Sequence, residues 1–104
     1  MTNNQKHYSP PLKEQKFSYR GGTDKTPRVL ITHQNQHKVR GFNIHYLSPQ
    51  QIGMVRKEWA RVQNQPWSMS TKERVAMTRM DTQKISESFR CYNRKNIGRT
   101  FTSN

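Results

Sequence analysis

The junction Leu47-Ser48-Pro49-Gln50-Gln51-Ile52 constrains this chain's fold more than any other segment. Serine is a strong N-cap because its hydroxyl accepts a hydrogen bond from an unpaired amide of the first turn. Proline fits the first helical position, where no amide donor is needed. Gln51 stands where a capping box wants Glu or Gln, and Leu47 and Ile52 occupy the two positions of a hydrophobic staple. Ile52, Val55, Trp59 and Val62 then recur at helical spacing and predict a helix to about Gln63, stopped by Asn64 and Pro66. Arg56, Lys57 and Arg61 fall toward its exposed side.

The segment before that helix, residues 28–47, reads as a β-hairpin. Arg28-Val-Leu-Ile-Thr32 is a compact β-branched run after Thr26-Pro27, Gln34-Asn-Gln-His37 supplies a polar turn, and the chain resumes as a second strand from Lys38 to Leu47. Strict alternation would set Val39 opposite Phe42, Ile44 and Tyr46. A bulge at Gly41 would return all four to one face, leaving Arg40 and His45 on the other. A lone hairpin is marginal in water, so a small curved or SH3-like sheet is expected, completed by strands from elsewhere.

After the first helix, Ser70-Thr-Lys-Glu73 reads as a second capping box. Ala76, Met77 and Met80 make a soft apolar stripe that Ile85 and Phe89 extend, and Trp67 is expected to fill the gap between the two helices. The last segment, from Phe89 to Phe101, pairs as an edge strand or packs as an ordered tail; it holds Arg90, Arg94, Lys95 and Arg99 and no acid. Residues 1–26 read as an extended arm, disordered or ordered by a partner. Apolar residues there are sparse and aperiodic, too few to offset the entropy of ordering. Tyr8, Phe17 and Tyr19 are its candidate anchors on a partner. The fold class is therefore α+β: a hairpin or small SH3-like sheet followed by two helices, in one small domain over residues 27–104 with a basic C-terminal segment.

Charge bounds the function. The 104 residues carry 19 Lys+Arg against 6 Asp+Glu, a formal net charge of +13, and only 30% are hydrophobic. Solubility alone requires far less charge than this. Residues 25–57 hold Lys25, Arg28, Lys38, Arg40, Arg56 and Lys57 with one acid-free run along the chain. Cations on a solvated helix usually alternate with acids, so the stretch predicts a real basic surface. With Arg90, Arg94, Lys95 and Arg99 at the other end, two basic patches flank a thin core and suggest a bridging piece. The partners expected are acidic surfaces of neighbouring protein subunits in a larger assembly, or the nucleic acid backbone. Apolar runs such as Val29-Leu30-Ile31 are too short to span a membrane, and no basic n-region with an apolar h-region opens the chain.

Two segments resemble a known group. Gly41-Phe-Asn-Ile-His-Tyr-Leu-Ser-Pro49 is similar to a Gly-(Phe/Leu)-Asn-x-His-Tyr-Leu-x-Pro signature of small structural or uncharacterised proteins from contractile-tailed bacteriophages. Phe89-Arg-Cys-Tyr-Asn-Arg-Lys-Asn-Ile-Gly-Arg99 resembles the basic, aromatic segment that follows in such proteins. The likeness covers about a fifth of the chain. It implies a virion or packaging component, docking on protein or lying near DNA ends, and it carries over no catalytic residues.

Catalysis is not expected from the residues either. The acids Glu14, Asp24, Glu58, Glu73, Asp81 and Glu87 are dispersed, and no phosphate-cradling loop, zinc helix or nucleophile elbow is present. His33, His37 and His45 lack the further ligands a metal needs, Cys91 being the only soft candidate, and read as ordinary turn and strand histidines. A single cysteine makes no internal disulfide. No cofactor or metal is expected. The leading expectation is a non-enzymatic assembly component of a virion, and the alternative is a non-specific DNA- or RNA-binding accessory protein in the cytoplasm. No helix-turn-helix, zinc finger or RRM-type motif is present to read bases.

Overall fold

The computed structural model describes residues 12–80 and 84–101. Five strands, β1 (Lys13–Tyr19), β2 (Arg28–Gln34), β3 (Lys38–Asn43), β4 (Phe89–Asn93) and β5 (Ile97–Phe101), form one antiparallel sheet in the order β4-β3-β2-β1-β5. Helices α1 (Pro49–Gln63) and α2 (Met69–Met80) lie between β3 and β4 in the chain. The architecture is mixed α+β.

The sheet is curled, and its connectivity explains why. β4 and β5 are the two outermost strands, yet a single 3-10 turn, Arg94–Asn96, joins them. Outer strands of a flat five-stranded sheet would stand about 19 Å apart at the usual strand spacing of about 4.8 Å. A turn of three residues reaches well short of that, so the sheet must bend until its ends approach. A contact across the curl agrees: the Asn93 amide at the end of β4 donates to the Tyr19 hydroxyl of β1 at 3.1 Å.

Alternation along the strands then sorts the apolar residues into two cores. Phe17, Val29, Ile31, Val39 and Tyr92 fill the inside of the curl, with Tyr19 and Ile97 packed against them. The rings of Phe17, Tyr19 and Tyr92 meet edge to face at 5.0–6.2 Å between centroids. Leu12, Leu30 and Phe42 point outward and meet Val55, Trp59 and Val62 of α1, Ala76 and Met80 of α2, and Ile85 of the 3-10 turn Ile85–Ser88. Burying each such large side chain contributes about 1.5–3 kcal/mol.

The first helix forms where the residues predict it, and a β2–β3 hairpin forms whose second strand ends at Asn43 and not at Leu47. Asn35 turns the chain: its Oδ1 accepts from the amides of His37 at 2.7 Å and Lys38 at 2.9 Å. The capping box is complete, with the Gln51 amide donating to Ser48 Oγ at 3.1 Å and the Ser48 amide donating to Gln51 Oε1 at 2.8 Å. Leu47 and Ile52 each pack against the helix-side core.

Several expectations are corrected. The arm does not extend to residue 26: Lys13–Tyr19 is a strand inside the sheet, hydrogen-bonded to β2 on one side and β5 on the other. Phe17 is 1% exposed and belongs to the protein's own core, and the half-buried Tyr19 packs against that core. Tyr8 lies outside the described residues. Gly41 does not bulge. The extra residue is Thr32 on β2, where the register shifts between Ile31 and His33. Val39 and Phe42 therefore stay on opposite faces and feed separate cores. Gly41 is required by close approach, since a Cβ there would overlap the Leu30 carbonyl and lie 2.7 Å from Val29 Cγ1. Ile44 and Tyr46 belong to a 3-10 turn and not to the strand. The cap of α2 is Ser68, whose Oγ accepts from the Thr71 amide at 3.3 Å, because Glu73 is drawn into the protein. Trp67 is 39% exposed and plugs no gap.

Candidate binding surfaces

The fold consumes its acids. Glu14 pairs with Arg28 at 2.9 Å and Arg56 at 3.8 Å; Glu58 pairs with Arg61 at 3.3 Å and, across to α2, Arg79 at 2.9 Å. Glu73 rises from α2 to the sheet, meeting Arg40 at 3.0 Å and the Thr32 hydroxyl at 3.1 Å. Asp24 meets His45 at 2.7 Å. Four of the carboxylates are thus committed inside the molecule, and the field that leaves it is set by cations.

Stretch 25–57 is acid-free along the chain and not in space. Arg28, Arg40 and Arg56 find acids from β1 and α2, and Lys25 Nζ caps the Gly22 carbonyl at 3.1 Å within the β1–β2 connection. Arg94 is a staple: its Nε donates to the Asn35 carbonyl at 2.6 Å and its guanidinium also reaches Gln34, tying the β4–β5 turn to the hairpin tip. The other five expected binding residues, Lys38, Lys57, Arg90, Lys95 and Arg99, are exposed. They do not form one patch.

A basic strip does form, partly from residues the sequence did not single out. Lys16 of β1 stands directly across from Arg28 of β2 on one side and Phe101 of β5 on the other. Lys16 Nζ and the Arg99 guanidinium lie 5.5 and 5.3 Å from the centre of the Phe101 ring. Arg20 donates to the Lys95 carbonyl at 2.7 Å, which adds two cations at the end of the same β1–β5 seam. Among the described residues none of Lys16, Arg20, Lys95 and Arg99 has a carboxylate partner. Opposed like charges destabilise a strand pair by about 0.2–1 kcal/mol. The ring offsets part of that by attracting both cations to its face. The one signal that could have revealed the strip is the alternation Gln15, Phe17, Tyr19, which puts Lys16 and Ser18 on the opposite, outer face.

The second surface is a cleft of about 240 Å³ between the 21–24 segment, the Asn43–Tyr46 turn and the Arg90–Tyr92 stretch of β4. Segments 41–49 and 89–99 both contribute to it. Asn43 is buried and organises the floor. Its Oδ1 accepts from the amides of His45 at 3.1 Å and Arg28 at 3.4 Å, and its Nδ2 donates to Asp24 Oδ2 at 2.9 Å. Burial pushes the Asp24 carboxyl up, but hydrogen bonds from Asn43, His45 and the Thr26 amide outweigh it and hold the group below the usual carboxylate range. Burial pushes the Tyr92 hydroxyl up to about 12, against the opposing pull of its hydrogen bond with Asn43, so it is a neutral phenol at physiological pH.

Among the described residues no three metal-ligating side chains come together, and no helix is long and apolar enough to cross a membrane. Cys91 is exposed and unpaired on β4. No family model matches the chain, and searches of curated proteins and of solved structures return no match.

Proposed function

We propose that this protein is a non-enzymatic assembly component that docks its basic strip on an acidic surface, either a neighbouring subunit or packaged DNA. The observation that carries the reading is the row of Lys16, Arg99, Arg20 and Lys95 kept together without an acid, while Glu14, Glu58 and Glu73 are spent on other arginines. A row of like charges costs free energy in the isolated chain and is relieved by an external anion. The strand order, with β1 between β2 and β5 and a 3-10 turn before the last strand, supports an SH3-like sheet carrying two helices inserted after β3. The resemblance of residues 41–49 and 89–99 to proteins of contractile-tailed bacteriophages supports a place in the virion.

Salt-dependent retention on heparin tests it. Lys16→Gln with Arg99→Gln is expected to elute at clearly lower salt than Lys57→Gln with Arg74→Gln, which removes the same charge from exposed helix positions. Equal elution of the two variants would refute docking through the strip. A second reading, a nucleic-acid accessory protein, is favoured by the strip's near-continuous charge, which suits a phosphate backbone. It requires binding to random duplex DNA whose affinity falls steeply with salt, by about 0.9 in log–log slope for each phosphate neutralised.

A further inference from the structure

Nearly every residue of the segment Gly41–Pro49 has a structural task. Gly41 permits close strand approach, Phe42 is core, and Asn43 ties the floor of the cleft. Ile44 and Leu47 pack on the helix-side cluster, His45 holds Asp24, and Ser48 and Pro49 start α1. Tyr46 is the exception. It is 45% exposed, and its one ring contact is with the Arg90 guanidinium, 5.0 Å from the ring centre, at the mouth of the cleft. Tyrosine and arginine are among the residue types most enriched where interfaces concentrate their binding energy.

Donors converge there. Arg90 has no carboxylate partner among the described residues, so its planar fork of N–H groups is not taken up by an acid there. The Tyr19 hydroxyl accepts from the Asn93 amide, which leaves its own O–H to donate. Tyr92, held neutral, adds an aromatic wall. The fork matches an anion with two coplanar oxygens, and the tyrosine rings suit the apolar stem that carries it. The number of charges decides which anion. Asp24, ionised in the floor, repels added negative charge, and Arg90 is the cleft's single cation. A single negative charge held at Arg90 meets less of that repulsion than a dianionic phosphate or a run of phosphates does.

We infer that the cleft between Asp24 and Arg90 receives one carboxylate, the side chain of an aspartate or glutamate on a neighbouring protein subunit, clasped by Arg90 over Tyr46. This rests on the reading of the chain as a docking component, but not on the basic strip, which lies along the β1–β5 seam.

The test uses the full chain, labelled with nitrogen-15, titrated with acetyl-glutamate N-methylamide and, at matched ionic strength, with inorganic phosphate. Saturable shifts are expected at the Arg90 side chain, the Tyr46 amide and the 21–24 amides, at least tenfold weaker with phosphate. Arg90→Gln is expected to weaken glutamate binding at least tenfold, and Arg90→Lys at least threefold, since lysine keeps the charge and loses the fork. Unfolding midpoints matching wild type show that the variants are folded; Arg74→Gln, which removes an exposed helix cation away from the cleft, must bind as wild type does. Equal binding by wild type and Arg90→Gln, or phosphate binding as tightly as glutamate, overturns the inference. A heparin run alongside separates the two readings. A chain retained on heparin whose cleft shows no glutamate shifts overturns this inference alone, and a chain neither retained nor shifted overturns the docking reading with it.

Discussion

Arg40 and Arg99 occupy similar settings at different places in one sheet. Each sits on a strand over an aromatic ring, Arg40 5.4 Å from Phe89 and Arg99 5.3 Å from Phe101. What else each ring neighbourhood gathers differs. At Arg40 the helix pair supplies Glu73, whose side chain is only 6% exposed, so the arginine closes a polar link between α2 and β3. At Arg99 no helix covers the sheet and the second group over the ring is another cation, Lys16. The same side chain is a structural tie where an acid can reach it and a surplus charge where none can. Position relative to the two helices, and not the local run of cations, sets which role an arginine takes.

Breaking the covered half is expected to have the largest effect. Arg40→Ala leaves Glu73 buried with the Thr32 hydroxyl as its one remaining side-chain partner among the described residues. Removing one partner of a buried pair costs about 3–5 kcal/mol, and Arg40's own exposure reduces this to about 2–3 kcal/mol. Urea unfolding measures it. Arg94→Ala comes next, at about 1–2 kcal/mol, because it releases the hairpin tip from the β4–β5 turn. Native hydrogen exchange should show the loss first at Asn35 and Lys38, whose amide protections depend on that turn.

The same comparison shows what could be read from the chain. α1 was legible because its signals are local: Ser48, Pro49 and Gln51 act on amides within one turn. The β2–β3 hairpin was legible for the same reason, through Asn35. β1 was not, because Lys13–Tyr19 carries just two apolar residues and earns its place in the sheet from partners far along the chain, Arg28–Ile31 and Ile97–Phe101. The destination of Glu73 was hidden likewise. A capping box from Ser70 competes with a tie to Arg40 thirty-odd positions earlier, and only the packing of α2 on β3 decides. For the candidate surfaces, Arg90 and Arg99 were visible as exposed cations, but Lys16 and Tyr46 take their meaning from Phe101 and Arg90 across strands. Charge composition announces that cations are in excess; it does not say which ones the acids leave over.

Asp24 tests the comparison at the cleft, where an acid is again tied inside the fold. Its folded value lies below the ordinary 3.8. Its contribution is therefore fully present above the unfolded value and is lost as pH falls through the folded one. Wild type should lose stability between about pH 4 and the folded value, and Asp24→Asn, measured by the urea midpoint across that range, should show a flatter acid limb. An unchanged limb would mean that the ties from Asn43 and His45 do not set the carboxyl's acidity.

The smallest expected effect on stability is the most informative about function. Lys16→Gln removes one of two cations drawn to Phe101 and relieves the repulsion with Arg99 and with Arg28 across the strand pair. Those terms oppose one another, so the unfolding midpoint should move by no more than about 0.5 kcal/mol in free energy. If the strip exists to meet an external anion, the same substitution must nevertheless lower the salt at which the chain leaves heparin. A cation that costs nothing to remove from the fold but weakens binding is kept for something outside the molecule. One that destabilised the protein like Arg40 would instead be a structural tie, and the distinction between the two halves of the sheet would disappear.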